Sequence, residues 1–136
     1  MKKAILLLGH GSQAVGANQA MYRVTELIRQ QTGYIVEVGF MALNSPSIED
    51  AVANCIVQGA HKIVVIPYFL HLGVHVQRDL PRRLAEIKRQ YPDVEIMMGK
   101  HLGFHPKLVE VVLDRINESE EQEEKYYAHT TYAAGH

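Results

Sequence analysis

Apolar runs of strand length alternate with segments of helical period along most of this chain, and that alternation restricts the fold more than any other feature. Residues 4–8 form a continuous apolar run, as a strand buried on both faces requires. Over about 16–32, Ala20, Met21, Val24, Leu27 and Ile28 recur at the spacing of one helix face, and Gly33 supplies a stop. Residues 35–43 give a second strand. Ser45 and Pro46 then read as N-cap and first helical position of a helix with Ile48, Val52, Cys55 and Ile56 inward, ended by Gly59. Residues 63–70 give a third strand, in which Pro67, lacking an N–H for the ladder, marks a bulge or a frayed end. Asp79 is the expected cap of the next helix, with Leu80, Leu84 and Ile87 inward. A fourth strand spans 94–99, and His105-Pro106 opens a last helix carrying Val109, Val112, Leu113 and Ile116.

Four consecutive β/α units predict an α/β fold: a doubly wound, parallel, four-stranded sheet in one domain. Right-handed crossovers favour the flavodoxin-like order 2-1-3-4. The domain is expected to cover residues 1–117. Beyond Asn117 comes an acidic run, Glu118, Glu120, Glu121, Glu123 and Glu124, then Tyr126, Tyr127, His129, Tyr132 and His136 with no evident period. This composition predicts a flexible tail over 118–136, which either solubilises the end of the chain or gathers metal.

With 136 residues, 47% apolar and 21% charged, the chain suffices for one core, and a net charge of -1 gives no overall basic field for nucleic acid. No apolar run approaches the roughly 20 residues of a membrane helix. The run after Met1-Lys2-Lys3 breaks at Gly9-His10, too short for a signal peptide, so a cytoplasmic location is expected. Cys55, the single cysteine, falls on an apolar helix face and reads as core.

Open sheets of this order bind ligands beyond the carboxyl ends of the strands, where the order reverses. That crevice lies between the tips of strands one and three. His10 follows strand one in Gly9-His10-Gly11-Ser12, and His75 follows strand three in Leu70-His71-Leu72-Gly73-Val74-His75. Glycine in each turn lets backbone approach a ligand. With a reference pKa near 6.5, imidazole is mostly neutral at cellular pH and is a good ligand for divalent Co, Ni, Fe or Zn. Two histidines without a CxxC or HExxH spacing make an incomplete site, suited to an ion that is handed on. The plainer reading, polar residues satisfied by backbone at strand tips, stays open. No GxGxxG, GK[ST] or GxSxG spacing supports a phosphate loop or a nucleophile elbow. His61 sits at the opposite sheet edge, His105 reads as a helix cap, and His71 and His101 as rim residues.

Gly9-His10-Gly11-Ser12, the Pro46-Ser47-Ile48 helix start, Pro67-Tyr68-Phe69-Leu70-x-x-Gly73-x-His75-x-x-x-Asp79-x-Pro81 and Gly99-Lys100-x-x-Gly103 together resemble the sirohydrochlorin chelatases, most nearly the short, single-domain CbiX type, over about residues 3–117. The resemblance implies insertion of a divalent metal into sirohydrochlorin on the way to cobalamin, sirohaem or coenzyme F430. His10 and His75 match the family's metal-binding histidines and would carry both metal presentation and proton removal. Co2+ is favoured, then Ni2+ and Fe2+, in each case as substrate with no permanently bound cofactor. A homodimer is implied, with the macrocycle between related halves. Ser12, Asn44, Ser45, Leu70, His71, Leu72, Gly73, Val74 and Arg78 are the expected substrate contacts, with a turn-stabilising hydroxyl the equal alternative for Ser12; of the candidate carboxylate donors Arg78, Arg82, Arg83 and Lys100, Arg78 is the first choice, and Arg82 and Arg83 read more readily as a solvated helix face. In one respect the chain departs from the pattern: many relatives carry a glutamate where this chain has Ala42. A non-catalytic metal or tetrapyrrole carrier is the alternative from another class.

Overall fold

The computed structural model describes residues 2–14 and 16–134, with side chains as far as Tyr126. Its elements run β1 (Lys2–Gly9), α1 (Gln19–Thr32), β2 (Ile35–Phe40), α2 (Ile48–Val57), β3 (Ala60–Pro67), α3 (Val74–Gln90), β4 (Glu95–Met98) and α4 (Pro106–Ala134). The chain divides into two compact units, Met1–Gly103 and Phe104–His136. The first holds the whole sheet, parallel throughout and ordered β2-β1-β3-β4, as the alternation predicts.

Side-chain alternation along β1 sends Leu6 and Leu8 to one face and Leu7 to the other. The first face is covered by Ile48, Ala51, Val52 and Cys55 of α2 and by Val76, Leu80, Leu84 and Ile87 of α3. Met21 of α1 packs on the second, against Leu7, Val38 and Phe40. Both faces of the sheet are thus covered, which is why β1 reads as an unbroken apolar run. Complete burial pushes the Cys55 thiol up to about 12, with the charge of Glu37 adding to the shift, so this cysteine is core material.

Several local expectations shift. On α1 the buried stripe is Met21 and Thr25, with Leu27 exposed, because the Thr25 hydroxyl donates to the Met21 carbonyl at 2.8 Å and needs no other partner. Ser47 caps α2 in place of Ser45: its Oγ accepts the Asp50 N–H at 3.1 Å. β3 begins and ends earlier than 63–70, and Pro67 closes it, opposite Leu8, with no bulge at that point. Asp79 is not a cap, since α3 already starts at Val74 behind Gly73.

α4 belongs to the second unit. Its helix continues through Ala134, where the acidic composition predicted a tail without regular structure. Glutamate is a strong helix former, and Arg115 pairs with Glu118 one turn on at 2.9 Å, so propagation costs little there. The His129 side chain and His136 lie outside the described residues. Among the described residues no helix is long and apolar enough to cross a membrane.

Candidate active site

The carboxyl end of β1 is fixed from both sides. Tyr68 N–H donates to the Leu8 carbonyl at 2.7 Å, Met41 N–H to Gly9 at 2.9 Å, and Ala42 N–H to His10 at 3.1 Å. The backbone of His10 is therefore held like a strand residue although its side chain is exposed. Its imidazole lies on the ring of Phe69, with centroids 4.1 Å apart and planes inclined at 35°. Phe69 is itself buried in the core. Gly11 turns the chain away with φ 95°, and a Cβ there would fall inside the Ala42 carbonyl oxygen.

His75 stands in the first turn of α3. Gly73 starts that helix, Gln77 donates through its N–H to the Gly73 carbonyl and through its side chain to the Leu72 carbonyl, both at 3.0 Å, and buried Val76 anchors the turn in the core. His10 and His75 line two cavities together. One, of about 540 Å³, is completed by Met41, Ala42, Val76, Asp79, Arg82, Arg83 and Glu86. The other, of about 470 Å³, adds Tyr68, Phe69, Leu70, His71, Gly73 and Val74. Among the described residues no three histidine, cysteine or carboxylate side chains converge as a metal cage. His10 and His75 are the imidazoles here that could hold a metal, with the Asp79 and Glu86 carboxylates on the wall of the larger cavity.

The first cavity has a charged wall on α3. Arg82 pairs loosely with Asp79 at 3.6 Å. Arg83 is held firmly: Nε and Nη2 donate to the Glu49 carboxylate at 3.1 and 2.9 Å, and Nη1 donates to the Met41 carbonyl at 2.8 Å. The Arg83 guanidinium holds the Glu49 carboxyl below its ordinary range, against the opposing effect of partial burial.

Residues 4–119 match the CbiX family. The chain belongs to that family. It is 37% identical over 123 residues to the sirohydrochlorin cobaltochelatase of Priestia megaterium, an alignment covering 90% of this chain and 40% of that protein. It is 34% identical over 137 residues to the sirohydrochlorin cobaltochelatase of Methanopyrus kandleri, covering 85% of this chain and 96% of that one. The sirohydrochlorin chelatase SirB from Bacillus subtilis subspecies spizizenii, solved with cobalt, superimposes with a TM-score of 0.80 at 33% identity, over 87% of this chain and 51% of that one. This CbiX chain thus spans less than half of the Priestia relative and nearly all of the Methanopyrus one.

Not every expected contact of this CbiX chain falls beside the histidines. Leu70, His71, Gly73 and Val74 do. Leu72 packs against the core instead, because buried Val76 and the Gln77 contact turn the start of α3 inward there. Ser12 and Asn44 meet each other, the Ser12 N–H donating to Asn44 Oδ1, and line a separate polar pocket of about 280 Å³. The Ser12 hydroxyl accepts the Ala14 N–H at 3.1 Å, which is the turn-stabilising role. Ser45 is exposed and lines neither histidine cavity. Arg78 is likewise exposed and outside both. Arg82 and Arg83 line the larger cavity instead, since an α-helix that presents His75 presents residues 79, 82, 83 and 86 on the same side. Counting from His75 at helical spacing would have found them; placing the helix start at Asp79 concealed it.

Proposed function

We propose that this chain inserts a divalent metal, Co2+ foremost, into sirohydrochlorin. The observation that carries the reading is that His10 and His75 line the same two cavities, while among the described residues no group of three metal-ligating side chains converges there. Membership of the CbiX family and the cobaltochelatase names of its relatives support it, and supply the choice of cobalt.

Insertion requires the ion to exchange its ligands for pyrrole nitrogens while two N–H protons leave. His10 and His75 present the ion to the macrocycle face, which makes the transfer effectively unimolecular. An imidazole released as the metal leaves becomes a base for a pyrrole proton, with His10 the first choice. Arg82, exposed at the cavity wall and only loosely paired, is suited to a substrate carboxylate by its forked donors. A homodimer would enclose the macrocycle, and the relatives of about twice this length fit two such halves in one chain. A cytoplasmic setting fits the single buried thiol.

An absorbance time course with sirohydrochlorin and Co2+ tests the reading. Wild type should outpace a His10→Ala, His75→Ala double variant, whose rate should fall to that of metal and macrocycle alone. Equal rates for wild type and the variant would leave a carrier at most.

A further inference from the structure

We propose that Arg83 is a positioning residue for metal transfer, setting the spacing between the loop that backs His10 and the helix that carries His75. The inference rests on the chelatase reading of the two histidines and adds what holds them apart.

The connection runs through three elements. The Ala42 N–H binds the His10 carbonyl and the Met41 N–H binds the Gly9 carbonyl, so residues 41–42 travel with the tip of β1. The carbonyl of Met41 turns the other way, into the cavity wall, and accepts from Arg83 Nη1 at 2.8 Å. Arg83 lies about two helical turns beyond His75 on α3, about 12 Å along the helix axis. The opposite edge of the guanidinium is fixed by Glu49 in the first turn of α2, at 3.1 and 2.9 Å. The head group is therefore gripped on both edges, and its side chain is only 27% exposed. The geometry needs a planar fork: an ammonium cannot span a carboxylate and a carbonyl on opposite sides while holding one orientation. Releasing it lets the 41–42 loop, and with it the His10 side of the site, move relative to His75.

The test uses the full chain with Arg83→Lys and Glu49→Gln, and Lys88→Gln on the exposed side of α3 as a control. Three readouts are taken: the visible spectrum and affinity of bound Co2+, kcat and KM for insertion, and hydrogen exchange at the Met41 and Ala42 amides. A displacement of about 1 Å costs up to about a hundredfold in a positioned reaction. Arg83→Lys is expected to lower kcat at least tenfold, of that order, with KM for sirohydrochlorin little changed. It should also alter the Co2+ bands and speed exchange at both amides, and Glu49→Gln should do the same to a smaller extent. The control should behave as wild type. An Arg83→Lys protein with unchanged Co2+ bands, kcat and exchange would overturn the proposal, and if that variant fails to fold, the same outcome in Glu49→Gln overturns it. Should wild type prove unable to insert metal, the chelatase reading falls, while the Co2+ bands and amide exchange still decide whether Arg83 sets the spacing.

Discussion

The imidazole of His10 rests on the ring of Phe69 at a centroid separation of 4.1 Å, so one of the two exposed histidines of the site is seated on the buried core. The contact gives His10 a defined orientation, while no hydrogen bond from another described residue occupies a nitrogen of its imidazole. Ring contacts of this kind contribute about 0.5–1.5 kcal/mol beyond burial. A double-variant stability cycle with Phe69→Leu and His10→Ala should return a coupling of about that size. Strictly additive losses would show that the rings do not support each other. Phe69→Leu alone should also weaken Co2+ binding, by up to about tenfold at 1.4 kcal/mol per decade.

Ala42 lines the cavity that both histidines share, on a loop bonded to the His10 carbonyl. Ala42→Glu would place a carboxylate beside a two-imidazole site, and a hard anionic oxygen adds to the affinity for divalent ions. Isothermal titration should show tighter Co2+ binding than wild type. Unchanged affinity would mean that position 42 does not face the ion.

Gly11 combines φ 95° with a Cβ position already occupied by the Ala42 carbonyl oxygen. Gly11→Ala must therefore move either the turn after His10 or the 41–42 loop, at a cost of order 1–3 kcal/mol for the backbone conformation alone. Thermal unfolding should show a clear loss of stability, accompanied by weaker Co2+ binding. A variant as stable as wild type would contradict this packing.

The Glu49–Arg83 pair has a pH signature. The folded-state pKa of Glu49 lies below its unbound value of 4.5, so the carboxylate stabilises the folded protein above that pH and the contribution is lost as pH falls through the folded value. Half-exposure and solvent screening keep it modest. Urea midpoints of wild type and Glu49→Gln should differ at neutral pH and converge as pH falls through the lowered folded-state pKa of Glu49. A gap that persists undiminished in acid would remove the ionised pair as its source.

Much of this was legible without coordinates. The strand order and the doubly wound cover follow from the alternation, since hydrophobic period is local and right-handed crossovers leave few topologies; the same order puts His10 and His75 on the walls of the same cavities. The motifs around the same histidines carry the family. Element starts were less legible. Ser45 and Ser47 are both plausible caps two residues apart, and only the path of the loop against Phe40 selects Ser47. The helix start expected at Asp79 lies nearly two turns beyond the observed cap, Gly73, and with it went the facing of Asp79, Arg82 and Arg83.

The sequence by itself determined which residues could be buried, in what order the strands lie, and that His10 follows the first strand and His75 the third. Tertiary structure alone decided that Arg83 spans from α3 to the Met41 carbonyl, 42 residues back in the chain, and that Ser12 closes its own turn instead of facing the histidines. The reason is physical: periodicity records what a residue shares with its neighbours along the chain, whereas the partner of a guanidinium or a hydroxyl is whatever unpaired carbonyl or N–H the packed elements bring within 3 Å.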